Sequence, residues 1–519
     1  MRKYSIVLLV FSILSIPPAT MGQTPASPDS VLQAILSGIS GTPLALSQAI
    51  QYGLKNSTSF LKAEADYLAA GGTERKEAGA FDPQLFFNLN YVDQKQPTAS
   101  FFAGASTLST QQTTSQGGIR MELPIGTELE VALSSTKLST NSSFALLNPE
   151  YDAFGSITLR QPLLGGFTIS ARKHLVQSER ELEAAKARFD QELIAISADI
   201  ERSYWDLYQA ERDYAVQKLT CDRAEAFLHE TELRAKSGLV GPNQVANAKT
   251  FLAQQDLALI DRQEHFDTQS DQIASTIGVR PDEGMVRFIP SNEPPADFPL
   301  DSVDSLVGNA IKENLDLQAA QKDVAAAQAL ASAAGWEALP SVNLVGSLGG
   351  SGLAGTPQQV IVLNDTLRTT VNGGLSDALT QVTKRDFPNW SIGVELSIPI
   401  GLRSGLGEKD RLEAGVLTAE QNYIDKSRTL EALIRSTYRE LSDGKKRLEV
   451  AREGVDAAQE QVRIGMIEFE NGRSTAFELV RLGEDLAVSQ QSYSEALVRT
   501  AKAAALLRQL TSGRYEAHH

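Results

Sequence analysis

Hydrophobic and polar positions divide this chain into two kinds of pattern. From Ser170 to Lys236 it runs 67 residues without a glycine or a proline. Within that run Leu182, Phe189, Leu193, Ile196, Ile200, Tyr204 and Leu207 recur at spacings of seven, four and three, the seam of a coiled coil. At 1.5 Å per residue such a helix reaches on the order of 100 Å. It is too long to wrap into a globule and must pack beside others. Leu430, Ile434, Tyr438, Leu441 and Leu448 repeat the seam later. Elsewhere the period is two. Ser391 to Ile398 alternates apolar with small or polar residues without a slip, and Ser156 to Arg160 does the same. Strands are therefore predicted in windows 81–166 and 338–403, with loops in the Ser-, Thr-, Gly- and Asn-rich stretches near 94–116, 135–154 and 349–387.

The chain also matches itself. At a shift of 257, Ala49 to Asn56 aligns with Leu306 to Glu313, Phe60 with Leu317, and Pro83-Gln84-Leu85 with Pro340-Ser341-Val342. At a shift of 234, Ile200, Tyr204, Asp206 and Leu207 fall on Ile434, Tyr438, Glu440 and Leu441, and Gly238 and Val245 fall on Gly472 and Leu479. Two copies of one unit follow. The first spans 44–280, with a helix over 44–80, strands over 81–166 and a helical hairpin over 167–278. A Pro-rich link covers 281–300. The second spans 301–513, with a helix over 301–337, strands over 338–403 and a hairpin over 404–511. A linker at 23–43 precedes the pair and a tail at 514–519 follows it.

Composition narrows the function. With 48 Lys+Arg against 64 Asp+Glu, the formal charge of −16 leaves no basic surface for nucleic acid. The single cysteine, Cys221, permits no internal disulfide or Cys-based zinc cluster, and five histidines give little metal chemistry. At the N-terminus Arg2 and Lys3 precede an apolar run from Ile6 to Ile16 that Pro17 and Pro18 end. This reads as a secretory signal over 1–22, with no cysteine near the cut to carry a lipid. An exported acidic chain without disulfides fits a Gram-negative envelope. In that setting the alternation, with Tyr91, Tyr151, Phe154, Phe387 and Trp390 nearby, suits outer-membrane strands that face lipid on one side and a wet lumen on the other. One chain has too few strands to close a barrel, so an oligomer is required.

The doubled order of these features resembles the TolC-like outer-membrane efflux and secretion channels, the outer membrane factors. The resemblance runs from about Pro43 to Gly513. It is carried by the paired Pro83 and Pro340, by Gln161-Pro162-Leu163-Leu164 where a strand enters the long helix, and by two turns, Gly238-Leu239-Val240-Gly241-Pro242-Asn243-Gln244-Val245 and Gly472-Arg473-Ser474-Thr475-Ala476-Phe477-Glu478-Leu479. It implies a mixed fold: an outer-membrane β-barrel shared by a homotrimer, about four strands per chain and twelve in all, continued by a periplasmic α-helical coiled-coil barrel. It implies a channel that passes drugs, metal ions or proteins outward, docked to a periplasmic adaptor and an inner-membrane pump. The first strand window is about 20 residues longer than the second. Its extra segment, 117–134, is expected to stand above the membrane as a hairpin; if it spans instead, the trimer has eighteen strands.

By the same resemblance, the helices reverse at Gly238 and Gly472 to form the periplasmic tip, and a carboxylate six residues after the glycine lines the entrance. That residue is Glu478 in the second copy and Gln244 in the first. Arg481 takes the place of a second acidic residue, and Phe469 and Arg473 are nearest to the pair that ties the closed state. Leu239, Val240, Gly241, Ser474 and Thr475 are expected at the adaptor contact. A plain exposed Glu478–Arg481 helix pair is the alternative. No catalytic site, cofactor or metal is expected. Gly350-Ser351-Gly352-Leu353-Ala354-Gly355 matches the dinucleotide fingerprint, but Thr356-Pro357 and a polar stretch follow, so it reads as a flexible loop. His174, His229 and His265 lack a second ligand nearby, and Cys221 reads as packed. The rival to a channel is a soluble periplasmic scaffold or adaptor without a membrane span.

Overall fold

The structure is a computed structural model that describes residues 30–100, 103–362, 365–471 and 473–513. The expected signal, Gly472 and the tail lie outside these residues.

The chain opens with α1 (Ser30–Gly38), β1 (Thr42–Leu44), α2 (Leu46–Asn56) and α3 (Thr58–Ala78). Four strands follow: β2 (Gln84–Pro97), β3 (Thr107–Glu122), β4 (Glu128–Thr140) and β5 (Leu147–Pro162). Then come α4 (Lys173–Lys236), α5 (Pro242–Ile277) and β6 (Phe288–Pro290). The second copy holds α6 (Val303–Glu313), α7 (Leu315–Glu337), β7 (Ser341–Pro357), two short strands β8 (Val360–Val362) and β9 (Asp365–Leu367), α8 (Leu375–Lys384) and β10 (Phe387–Ser397). It ends with α9 (Arg403–Glu470) and α10 (Ala476–Leu510). At 64 and 68 residues, α4 and α9 are each about 100 Å long.

Each unit was expected to open on one helix, yet each opens on two. The breaks fall at Ser57 and Asn314, which the shift of 257 superposes. Both residues hold extended backbone and cap the next helix: Ser57 Oγ accepts the Ser59 N–H at 3.2 Å, and Asn314 Oδ1 accepts the Leu317 N–H at 3.1 Å. The alignment survives because the cap chemistry is shared although the residue is not.

The strands form one antiparallel sheet in the order β10-β7-β5-β4-β3-β2. It has six strands, against the expected four. The segment 117–134 does not stand apart: it is the end of β3, a turn, and the start of β4, paired from Thr110–Thr140 to Glu122–Glu128. The turn meets the start of the long helix, where the Thr168 N–H reaches Ile125 O at 3.4 Å. Most of the stretches read as loops are also strand. Apart from Leu108 and Leu138, Thr107 to Gln116 and Ser134 to Thr140 are polar on both faces, so they carry no hydropathic alternation although their backbones are fully laddered. The glycine-rich run at 350–355 lies inside β7 and not in a flexible loop. Gly352 and Gly350 let α8 lie on the sheet: a side chain at Gly352 would strike Ala378 O.

Register sorts the sheet's two faces. One row runs Leu85, Ile119, Val131, Ile157, Leu348 and Trp390. Its face also carries Phe87, Leu89, Leu133, Leu159, Ile392, Val394 and Leu396, and these side chains are open to the surroundings: Leu85 is 82%, Trp390 72% and Ile392 70% exposed. The opposite face carries Asn88, Gln116, Ser134, Thr158, Ser347 and Ser391, with Arg160 paired to Glu395 at 3.0 Å. An apolar outside and a polar inside are what a membrane barrel requires.

The buried core lies in the helices. Trp205, Tyr204, Ile200, Leu207, Phe266, Ile273, Ile277, Ile434, Leu441 and Leu507 are fully enclosed where α4, α5, α9 and α10 meet α2 and α6. The seam residues Ile200, Tyr204 and Leu207 are buried along with their repeats Ile434 and Leu441. Two ion pairs join α4 to α10: Glu201 with Arg508 at 2.6 Å and Asp206 with Lys502 at 2.7 Å.

Candidate functional site

The far ends of the helical hairpins bring the predicted tip residues together. α4 stops because Gly238 turns left-handed at φ +73°, a conformation cheap for glycine. Its closing bond runs from the Leu239 N–H to Arg234 O at 2.9 Å. α9 closes through the Arg473 N–H on Glu468 O at 2.8 Å, the same bond displaced by 234 residues. The two tips are therefore built alike on either side of Gly472. α5 then starts with Gly241 as its cap and Pro242 in its first turn, where a missing N–H costs nothing. α10 starts with Thr475, whose Oγ1 accepts the Glu478 N–H at 3.2 Å.

Glu478 is exposed in the first turn of α10, where the helix dipole favours its charge. Its carboxylate accepts from Ser474 Oγ at 3.3 Å, so Ser474 rather than Arg481 is its partner. Arg481 is exposed one turn further on, and Gln244 is exposed in the first turn of α5. Arg473 is exposed at the turn. Leu239 is 74% and Phe477 65% exposed, so each tip presents an apolar side chain outward. Val240 and Ser474 are half-buried, and Gly241 and Thr475 are exposed beside them.

Phe469 finds a partner that the sequence did not point to. The Arg234 guanidinium from α4 sits 4.8 Å from the centre of the Phe469 ring on α9. Arg234 is also held by Glu230 at 2.8 Å. This is a link between the two hairpins at the tip. Arg473, expected with Phe469 at the tie of the closed state, lies exposed at the turn outside this contact. Only the contact itself identifies Arg234, since its partner lies on the other repeat. Two further polar ties stiffen the hairpins: Lys249 with Glu232 at 3.3 Å within the first, and Gln217 with Gln255 at 2.9 Å, which reaches on to Glu484 of the second at 3.3 Å.

Further along α4, away from the tip, several buried groups have shifted titration. Burial pushes the Glu211 carboxyl up to about 7, against the opposing pull of the Arg212 guanidinium. Burial also raises the Tyr208 hydroxyl. Cys221 is buried with its thiol on Asp256 Oδ1 at 2.8 Å, and burial and that carboxylate push it up to about 11. At that value it stays a thiol and a packing residue. Among the described residues no cluster of His, Cys, Asp and Glu could hold a metal ion. No helix there is long and apolar enough to cross a membrane, which says nothing of the sheet.

Comparison with known proteins agrees with this architecture. Residues 306–513 match the family described as outer membrane efflux protein. Over 340 residues the chain is 25% identical to nodulation protein T of Rhizobium leguminosarum bv. trifolii, covering 65% of this chain and 67% of that protein. Among solved structures, the outer-membrane channel OprN superposes with a TM-score of 0.65 at 16% identity, over 91% of this chain and 90% of that one. The outer membrane protein VceC of Vibrio cholerae gives 0.63 at 16% identity, over 91% and 97%. The family match covers the second repeat, and the solved outer-membrane channels share the fold over nine-tenths of the chain.

Proposed function

We propose that three copies of this chain form a gated tunnel from the periplasm through the outer membrane, working with a periplasmic adaptor and an inner-membrane pump in efflux or type I secretion. The observation that carries this reading is the continuity of two parts: a sheet apolar outside and polar inside, and helices about 100 Å long that leave the same end of it. A soluble scaffold would have no use for an exposed row of Leu85, Phe87, Leu89, Trp390, Ile392 and Val394.

In this reading outer-membrane lipid covers that row, and the tips form the entrance. Arg234 and Phe469 hold the two hairpins of each chain together when the entrance is narrow. Three copies of Glu478 around one axis draw cations, with Arg481 and Gln244 nearby to moderate the field. Leu239, Val240, Gly241, Ser474 and Thr475, with the exposed Phe477, meet the adaptor. The test is conductance of the detergent-extracted protein across a planar bilayer. Small, rarely open channels that open more often when the tip is loosened support the reading, and a protein that never conducts overturns it.

A further inference from the structure

The helix α8 lies on the apolar side of the sheet. Register puts Gly155, Ala153 and Tyr151 of β5, with Gly350, Gly352 and Ala354 of β7, on the same face as the row from Leu85 to Trp390. α8 covers these residues. Ala378 and Val382 pack with Ala153 and Ala354, with Leu379 and Tyr151 at the margin, and a side chain at Gly155 would strike Val382. Gln381 fixes the helix sideways: its amide accepts the Leu353 N–H at 2.9 Å and donates to Leu353 O at 3.1 Å, as a further strand would. Resting on the membrane reading above, we propose that α8 lies in the headgroup layer of the outer leaflet, where Lys137, Lys384 and Arg385 bind the phosphate of an anionic lipid.

The depth of α8 follows from the strands beneath it. Leu348 belongs to the apolar row, and Gly350 and Gly352 lie two and four residues further from the long helices. At about 3.4 Å per residue and a strand tilt of about 40°, they stand about 5 and 10 Å beyond that row. The polar layer outside the hydrocarbon is about 5–7 Å thick on each side of a bilayer. The helix therefore reaches across it. Trp390 in the row and Tyr151 beside α8 are the aromatic residues that such a boundary carries.

The charge around α8 names the lipid. Lys137 stands opposite Tyr151 with its Nζ 6.0 Å from the ring centre, and Lys384 and Arg385 end the helix. All three are exposed, and among the described residues none of them has an ion-pair partner. In the helical part Arg188, Arg212, Arg435 and Lys502 are each held by a carboxylate. The Asp377 carboxylate is taken up by the Gly374 N–H at 2.8 Å, which leaves three cations against Asp386 in a chain of formal charge −16. Arg385 also takes left-handed backbone at φ +59°, where glycine would be cheapest. Its guanidinium can meet phosphate with two parallel bonds. An acylated anion suits the place better than a soluble one, because Leu348, Leu375 and Trp390 lie exposed beside these cations.

Titration of lipid A, an acylated sugar with two phosphates, onto the full-length protein in dodecyl maltoside tests the site, with bound lipid read by native mass spectrometry. The parent protein is expected to hold lipid A more tightly than the same lipid stripped of its phosphates. Lys137→Gln, Lys384→Gln and Arg385→Gln together should weaken binding about a hundredfold, at about fivefold per cation. Lys384→Gln with Arg385→Gln should weaken it about twenty-five-fold on the same scale. Lys446→Gln on α9, remote from the sheet, should leave it unchanged. Equal affinity in the parent and the triple variant, or for the phosphate-free lipid, would overturn the site and leave the channel reading intact. Inorganic phosphate bound as tightly as lipid A would mean a soluble anion and would overturn it too. A protein that stays dispersed without detergent would overturn both readings.

Discussion

Removing the Arg234 side chain should loosen the tip by an amount the contact sets in advance. The guanidinium lies 4.8 Å from the Phe469 ring centre, Phe469 is half-buried, and the Arg234 side chain is 39% exposed. A cation–π contact at such a site contributes about 0.5–1 kcal/mol. In the proposed trimer, three such contacts broken on opening give about 1.5–3 kcal/mol in favour of the closed state. At about 1.4 kcal/mol per tenfold, Arg234→Ala should raise the ratio of open to closed channels about ten- to a hundredfold. Arg234→Lys keeps a cation over the ring and should recover part of that. Glu230→Gln removes only the ion pair within the helix and should change little. Open probability from single-channel records on the three variants checks the ranking. Equal open probability in Arg234→Ala and the parent protein would refute the idea that this contact holds the hairpins together.

Other perturbations bear on separate parts. Glu478→Gln should lower cation preference, read as a smaller reversal potential in a salt gradient; an unchanged potential places selectivity elsewhere. Tyr204 donates its hydroxyl to Leu44 O at 3.0 Å and accepts the N–H groups of Ser291 and Asn292 at 2.9 and 3.0 Å. The Ser291 N–H also bonds Leu44 O, so Tyr204→Phe chiefly strands the Asn292 N–H and should cost about 1–3 kcal/mol, measured by thermal melting of the extracted protein. Glu211 titrates near 7 when folded and near 4.5 when unfolded, so the folded state holds the extra proton between those values. Stability therefore falls as pH rises through that window, by about 3 kcal/mol in all. Glu211→Gln should melt higher at pH 8 and leave pH 5 nearly unchanged; a uniform shift at both pH values would contradict burial as the cause.

Much of this architecture was legible because long helices and repeats leave strong marks. Sixty-seven residues without a helix breaker, and a seam that recurs at a shift of 234, fixed α4 and α9 closely. Hydropathy located the apolar band, since Ile392, Val394 and Leu396 alternate against small or polar residues. It could not follow β3 and β4 beyond the band, where Thr, Ser and Gln occupy both faces and only backbone pairing defines a strand. That is why two strands and the role of 117–134 were missed. The helix α8 was hidden in a stretch read as loop; its support is the glycine surface of β7, which has no side chains to advertise it. At the tip, capping residues could be read locally, as with Thr475 and Glu478. The Arg234–Phe469 contact joins two repeats, and nothing local to either residue announces the other.

The trimer proposed above, with a hollow helical part that opens into a membrane barrel, can be seen by electron microscopy of the detergent-extracted protein. Threefold particles are expected, in which a tunnel on the order of 100 Å joins a detergent-covered barrel at one end. Monomers that stay dispersed without detergent, or particles with no through-going lumen, would contradict it.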